Sequence, residues 1–343
     1  MAGDLIFVTG GTGFLGYHLV SCLLNLGYRV RLLVRSEPKQ APAHGVEYIR
    51  GDVTDSRSVQ CGLQECQYAV HAAGLFRFWG TEEDFHSINA QGTSNVLQAA
   101  LHAGVKRFIH ISTIAVIGQA PVGVPITEKT PCRPLDAYQR SKLEGEQQVK
   151  IAVQQGLPAI ILRPGAFYGP GGTYGFNRLF VQDPLRGVRI QVDGGRRLIF
   201  PVFVPDVAWA IGQALQHPGV TGTDVATTYN ICDQPRSHRD INRMVSQLLG
   251  ISSFRFPVPR APILAFAGML EFLSHYTHRE PFFPLNLRHY VFNDWPVSSA
   301  KARIELGFQP TPIGEGLRQT VEWNKAQKIV HRTRRKHGFS HRK

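Results

Sequence analysis

The sequence predicts an α/β fold, a doubly wound parallel sheet with a smaller C-terminal α+β lobe. Three observations carry this. Short runs apolar on both faces alternate with helical stretches through the first half. A glycine-rich turn joins the first run directly to the first helix, and after residue 163 the alternation loosens into segments punctuated by Gly and Pro. In chain order the strand-like runs fall at 5–8, 30–34, 46–49, 68–71, 108–111 and 159–162, with helical stretches at 14–26, 82–103 and 137–155. Parallel neighbours need such helical crossovers, and right-handed crossovers place helices on both faces of the sheet. A strand and helix at 200–204 and 206–215 and a strand at 229–232 return to the same pattern. From residue 237 onward, helices joined by Pro-rich links at 257–262 and 281–284 read as a second lobe.

Composition narrows the function classes. Hydrophobic residues make up 43% of the 343 residues and DEKR 18%, enough to bury a large core and too apolar for disorder. The longest apolar stretch, 261–273, is interrupted by Pro262 and Glu271, so no transmembrane segment is expected. The chain passes from Met1 almost at once into the first apolar run, without a basic, cleavable leader. Five scattered cysteines, odd in number and without a C-x-x-C pair, fit reduced thiols and exclude a zinc ribbon. A cytoplasmic protein without a metal site is expected. Of the formal charge of +13, six Lys/Arg lie in 331–343 without an acid, which leaves +7 on the rest. That run reads as a solvated, frayed terminus, Phe339 being its one aromatic, and no specific nucleic-acid motif accompanies it. The residual +7 suits a polyanionic ligand.

The chemistry-bearing motifs follow the predicted strands. Gly10, Thr12, Gly13, Phe14, Leu15 and Gly16 form a turn between the first strand and the first helix. Glycines at 10, 13 and 16 permit a tight turn, close approach of backbone to a pyrophosphate and close helix–strand packing, while the helix N-terminus offers free N–H donors. This is the phosphate cradle of a dinucleotide-binding (Rossmann) unit. Arg35 ends the second strand where an acid would select NAD; an arginine, with Ser36 beside it and Arg31 two alternations back, suits the 2′-phosphate of NADP. NADP(H) is therefore favoured, with NAD(H) as the alternative. Tyr138 and Lys142 stand four apart on a predicted helix and share a face, although that spacing alone decides little. Ser112 and Thr113 end a buried strand, where open parallel sheets place reactive groups. A neighbouring ammonium would favour the phenolate of Tyr138 and bring its pKa toward neutrality for acid–base work on a carbonyl.

Together these residues resemble the extended (atypical) short-chain dehydrogenase/reductases, the NAD(P)-dependent epimerase/dehydratase superfamily. The likeness spans 5–325 and rests on TGGTGFLG at 9–16, GDVTD at 51–55, HAAG at 71–74, Asn89 with Gly92 and Thr93, STIAVIG at 112–118, YQRSK at 138–142 and RPGAFYGP at 163–170. It implies that Asp52 and Val53 lie at the adenine and that Ala72 and Ala73 lie along the cofactor. Lys142 would then sit on the nicotinamide ribose, with Tyr138 as acid/base and Thr113 as the third active-site hydroxyl. His71 reads as a packing residue. Ala166 stands where sugar-nucleotide enzymes of the superfamily have an asparagine. The RPxxxYGP form, DWPVSSAKA at 294–302 and ELGFQP at 305–310 are nearest the dihydroflavonol-reductase and 3β-hydroxysteroid-dehydrogenase-like branch. The resemblance further implies a homodimer through the helices near 82–103 and 137–155.

The acceptor side reads as apolar: Leu75, Phe76, Phe78 and Trp79 follow the HAAG strand, and Phe254, Phe256, Phe266, Phe272, Phe282 and Phe283 crowd the second lobe, where such aromatics are more often core than lining. Phe76, Trp79 and Ala166 are the substrate-side candidates. The organisation expected is a Rossmann unit of 1–164 with 200–233, a substrate lobe of 165–199 with 234–325, and a basic tail of 326–343. Three readings stay open: an oxidoreductase interconverting a carbonyl and a hydroxyl on a mostly apolar small molecule, a sugar-nucleotide epimerase or dehydratase, and a non-catalytic dinucleotide-binding module. Arg178, Arg186, Arg189, Arg196 and Arg197 could neutralise a nucleotide diphosphate under the second reading.

Overall fold

The computed structural model describes residues 3–36, 41–119, 123–218, 226–253 and 255–338. Its core is a seven-stranded parallel sheet. Six strands follow in chain order: β1 (Leu5–Thr9), β2 (Arg29–Val34), β3 (Val46–Arg50), β4 (Tyr68–His71), β5 (Arg107–Ile111) and β6 (Ala159–Pro164). The strand Thr227–Ile231 closes one edge beside β6, and the order from that edge runs through β6, β5, β4 and β1 to β2 and β3. Successive side chains point to opposite faces, as the pleat requires. Ile6 and Val8 pack with the helices Phe14–Asn25 and Val204–Gln216, whereas Leu5 and Phe7 pack with Ser56–Leu63, Gly92–Ala103 and Ala137–Gln154. The apolar-on-both-faces pattern thus reports two separate core layers.

Strand order reverses between β1 and β4, which lie side by side with Thr9 opposite His71. The helices that follow these two strands leave to opposite faces, so a crevice opens at their C-terminal ends.

Three expectations need correction. The strand at 200–204 is shorter, Pro201–Phe203, and it does not join the main sheet. It pairs in parallel with Ala166–Tyr168 in a ribbon of two strands, because Ala166 N–H already donates to the Phe200 carbonyl at 2.8 Å, just beyond the end of β6. The helix at 82–103 is not uniform: Glu82–Phe85 is α-helical, His86–Gln91 forms a π turn and Gly92–Ala103 is α-helical again. The extra residue in the π turn aims Asn89 inward, where Asn89 Oδ1 accepts from Leu75 N–H at 2.7 Å and its amide donates to Ser141 Oγ at 3.0 Å. The terminus is not frayed throughout, since the last helix runs Ile313–Gly338; Phe339 lies outside the described residues. No helix among the described residues is long and apolar enough to cross a membrane.

A buried ion pair ties β6 to the Ala137–Gln154 helix. Arg163 Nε and Nη2 donate to Glu146 at 2.7 and 2.6 Å, and Ser112 Oγ donates to the same carboxylate at 2.6 Å. Breaking one partner strands a charge in the core. Arg163→Met should therefore lower the unfolding free energy by about 3–5 kcal/mol, and the double variant Arg163→Met/Glu146→Leu should recover much of that loss. Urea denaturation checks both; a single variant as stable as the parent would show that the pair holds nothing.

Candidate active site

A cleft of about 1130 Å³ runs along the C-terminal ends of β1, β4, β5 and β6 and into the second lobe. At one end lies the glycine turn. Gly10 has φ +73°, and a Cβ there would stand 2.6 Å from the backbone of Ala72 and Ala73; a Cβ on Gly16 would meet the Gly10 carbonyl at 2.3 Å. Only glycine allows β4 and the turn to approach so closely. Gly10, Thr12, Gly13, Phe14 and Leu15 line the cleft, while Gly16 lies beneath the turn as packing. Gly13 caps the first helix without a side chain, so no side-chain acceptor competes for the amide donors of its first turn. A bare helix N-terminus at a cradle that any side chain would fill fits a dinucleotide pyrophosphate.

Arg35, Asp52 and Val53 line the same end. Asp52 Oδ1 accepts from the Thr54 amide and hydroxyl at 2.9 and 2.8 Å, and Asn95 donates to the Val53 carbonyl at 2.9 Å, so this wall is rigidly held. Arg31 is not part of it. Its guanidinium is spent on Glu47 at 2.5 Å and on the Gly62 and Gln64 carbonyls, because residue 31 lies early in β2, on the strand face of Leu33 but away from the C-terminal strand ends where the cleft runs.

Ala72 and Ala73 form the floor. Ala73 N–H donates to Thr9 Oγ1 at 3.1 Å, Thr9 Oγ1 lies 2.7 Å from His71 Nδ1, His71 Nε2 lies 3.0 Å from Thr93 Oγ1, and Thr93 donates to the Asn89 carbonyl at 2.7 Å. The Thr93 hydroxyl has one proton, given to Asn89, so His71 Nε2 must donate and Nδ1 must accept from Thr9. Every group in this chain is satisfied with a neutral imidazole. Burial, helped by the Lys142 charge, pulls the His71 pKa down to about 3. His71 is the packing residue the sequence suggested, with its ring stacked on His110 at 5.6 Å.

Thr113, Tyr138 and Lys142 meet at mid-cleft. Asp136 caps the Ala137–Gln154 helix by accepting from Gln139 N–H at 2.8 Å, and this sets the helix phase that turns both Tyr138 and Lys142 into the cleft. Thr113 hydrogen-bonds the Tyr138 phenol. Ser112, its neighbour, is consumed by Glu146. Lys142 Nζ donates to the Ile111 carbonyl at 2.6 Å, and burial draws its pKa down to about 8 against the pull of Glu146. The expected lowering of the Tyr138 pKa does not occur within the protein's own field. Burial pushes it up, with Asp136 adding to the rise and the Thr113 hydrogen bond opposing it. The physical reason is local: Phe76 meets the ring at 4.9 Å and Phe85 at 6.1 Å, while the Lys142 ammonium is turned to a carbonyl.

Beyond Tyr138 the walls are mostly aromatic and aliphatic, with Arg77, His238 and Glu280 also in the lining. Phe76 and Phe78 line one side together with Leu75, and Phe78 stacks on Tyr174 at 5.5 Å. Trp79 does not line the cleft, because the chain bends at 78–79 and carries it away. Ala166 lines it from the start of the short ribbon. Phe176, Phe180, Phe200, Tyr290 and Leu287 complete the wall and were not singled out in the sequence; the i, i+4 pair Phe176 and Phe180 after a Gly-rich loop was the one readable signal. None of Phe256, Phe266, Phe272, Phe282 or Phe283 lines the cleft, and Phe254 lies outside the described residues. The five lobe arginines also face elsewhere: Arg178 and Arg186 approach Asp183, Arg197 pairs with Asp193 and Asp294, and neither Arg189 nor Arg196 reaches the lining.

Fold and site together define an enzyme built around a nicotinamide dinucleotide. The profile of the NAD dependent epimerase/dehydratase family matches residues 6–232, and the chain belongs to that family. It is 29% identical to a 3-beta-hydroxysteroid dehydrogenase of Mycolicibacterium neoaurum, over 89% of this chain and 87% of that protein. It is 36% identical to a 4-hydroxy-2-methyl-3-oxo-4-farnesyl-3,4-dihydroquinoline-1-oxide ketoreductase of Stigmatella aurantiaca, over 59% of this chain and 61% of that one. Among solved structures, gox2253 superposes with TM-score 0.79 at 28% identity, covering 95% of this chain and 99% of that one. UDP-glucose 4-epimerase of Thermotoga maritima shares the fold with TM-score 0.77 at 22% identity, over 94% and 99%. The predicted extended short-chain dehydrogenase/reductase branch and the doubly wound sheet are both borne out.

Because His71 stays neutral down to about pH 3 in the fold but takes up a proton near its ordinary 6.5 when unfolded, it costs stability as pH falls from 6.5 toward 3. The stability advantage of the parent over His71→Gln should then narrow by about 1.4 kcal/mol for each unit below 6.5. Paired urea titrations at pH 7 and pH 5 measure this, and an unchanged difference would contradict the neutral assignment.

Proposed function

We propose that the protein is an NADP(H)-dependent oxidoreductase that interconverts a carbonyl and a hydroxyl on a mostly apolar small molecule. The observation that carries this reading is the substrate half of the cleft, walled by Phe76, Phe78, Phe176, Phe180 and Tyr290, with none of the five lobe arginines lining it. Arg77 is the one arginine on that side of the lining, so the two charges of a nucleotide diphosphate buried there would be only partly offset. An apolar ring or chain gains from the same surface. The names of the steroid dehydrogenase and of the farnesylated-quinoline ketoreductase point the same way.

In this reading residues 1–164 with 200–233 hold the cofactor and 165–199 with 234–325 shape the substrate side, as the lining of the cleft suggests. Gly10, Thr12, Gly13, Phe14, Leu15 and Gly16 shape the pyrophosphate cradle, Asp52 and Val53 border the adenine, and Ala72 and Ala73 flank the cofactor. Lys142 holds the nicotinamide ribose. Arg35 meets the 2′-phosphate, which makes NADP(H) the preferred cofactor over NAD(H). The bound nicotinamide supplies or accepts the hydride. Tyr138 supplies or takes the proton at the substrate oxygen, and Thr113 hydrogen-bonds that oxygen beside it. A phenol pushed upward by burial stays protonated, which is the form a reduction requires, and the alkoxide formed is basic enough to take its proton. Ala166 leaves room beside the reacting carbon. By resemblance, two copies of the chain would pair through the helices at 82–103 and 137–155.

Incubation with NADPH and a panel of apolar ketones should give net loss of cofactor absorbance. Tyr138→Phe should lower that turnover by about 10²- to 10⁴-fold while cofactor binding, read by fluorescence, stays intact. Micromolar binding of UDP by calorimetry, with no net change in the cofactor, would instead support the epimerase reading.

Arg35→Asp should shift preference from NADPH toward NADH by about one to two decades, the worth of one charge-assisted hydrogen bond of about 1.5–3 kcal/mol. Equal dissociation constants of the parent protein for the two cofactors would rule out this role for Arg35.

A further inference from the structure

The helix Arg260–Thr277 in the second lobe is apolar on its outside as well as its inside. Its inner face is ordinary: Ile263 and Ala267 are buried against Phe283, Leu287 and Phe292. Its outer face carries Phe266, Met269, Phe272, Leu273 and Tyr276, exposed by 48, 52, 61, 48 and 71%. Residues 266, 269, 273 and 276 recur at the spacing of one helical stripe. Five large apolar side chains on one exposed face exceed the scattered single residues that a soluble surface normally shows.

The charges around this stripe have one sign. The two acids nearby are turned inward: Glu271 accepts from Leu285 N–H at 3.1 Å, and Glu280 accepts from the Tyr174 hydroxyl at the cleft. Arg279, just past the C-terminal end of the helix, is exposed, whereas Arg260 continues the inner stripe of Ile263 and Ala267 and its guanidinium lies over Phe292 at 4.9 Å. The chain as a whole carries +13. An anionic lipid surface would neutralise Arg279 and bury the stripe. A helix of 18 residues, about 27 Å long, lies well in the plane of such a surface, and none of the described helices spans a bilayer.

We infer that the outer face of the Arg260–Thr277 helix docks the protein on an anionic lipid membrane. Phe266, Met269, Phe272 and Leu273 enter the acyl boundary, Tyr276 sits at the headgroup level, and Arg279 meets lipid phosphates. This holds whichever substrate the cleft takes.

Co-sedimentation of the full chain with vesicles of phosphatidylcholine and phosphatidylglycerol tests it. The parent should bind these vesicles, bind pure phosphatidylcholine less, and detach as salt rises. Met269→Ser and Phe272→Ser, each at an exposed position, should weaken partitioning by about tenfold with unchanged urea midpoints; Leu273→Ser is a second site should either variant misfold. Failure of the parent to bind overturns the proposal. So does vesicle binding that the serine variants do not alter, which would place the contact elsewhere, at the basic terminus for example. A parent that is dimeric by sedimentation equilibrium, with monomeric serine variants, would assign the face to a second copy of the chain instead.

Discussion

The reversal of strand order between β1 and β4 is the constraint on which the rest of this structure depends. Neighbouring parallel strands whose following helices leave to opposite faces cannot be covered at their C-terminal ends, so a crevice must remain there. The glycine turn after β1, Ala72 and Ala73 after β4, and Thr113 after β5 all stand at that crevice because their strands end there. The close approach of Gly10 to the backbone of Ala72 and Ala73 is the detail that seats the glycine turn against the end of β4.

Holding polar groups dry at this junction has an energetic cost, which the fold offsets largely by pairing, although His110, stacked on His71, has neither ring nitrogen bonded. His71 is neutral and bonded at both nitrogens, linking Thr9 to Thr93 and through it to the Asn89 carbonyl. Glu146 accepts from Arg163 and Ser112 together. These networks tie Ser112 to Glu146 and leave the adjacent hydroxyl, Thr113, beside the Tyr138 phenol. Two neighbouring hydroxyls are thereby distinguished by the partners they find, not by their chemistry.

The substrate half is organised differently. Its wall is assembled from the loop at 75–78, the helical turn bearing Phe176 and Phe180, and Tyr290 near the end of the second lobe, three segments far apart in the chain. Several ionic contacts in the lobe are made within it, as when Arg197 holds Asp294 at 2.9 Å, and none of the five lobe arginines lines the cleft, although Arg77 does. The outward stripe of the Arg260–Thr277 helix belongs to the same lobe, and there the apolar residues turn to the outside.

Local pattern by itself determined the six ordered strands and the glycine turn, because each depends on neighbours within a few residues: pleat alternation and a positive φ. The four-residue step put Tyr138 and Lys142 on one helix face but did not by itself mark them as a pair. Arg35 was legible from local pattern too, at the end of its strand, whereas Asp52, Val53, Ala72 and Ala73 were picked out only through the family resemblance; all five line the cleft. Only the tertiary structure decided that Phe200 and Phe180 line the cleft while Phe266 and Phe272 face outward, that Trp79 turns away, that 201–203 leaves the main sheet, and that burial raises the phenol of Tyr138 where a neighbouring ammonium was expected to lower it. Those outcomes turn on which distant surfaces meet and how much water they exclude. Hydrophobicity in a sequence says that a side chain will be buried somewhere; contact across the folded chain says against what.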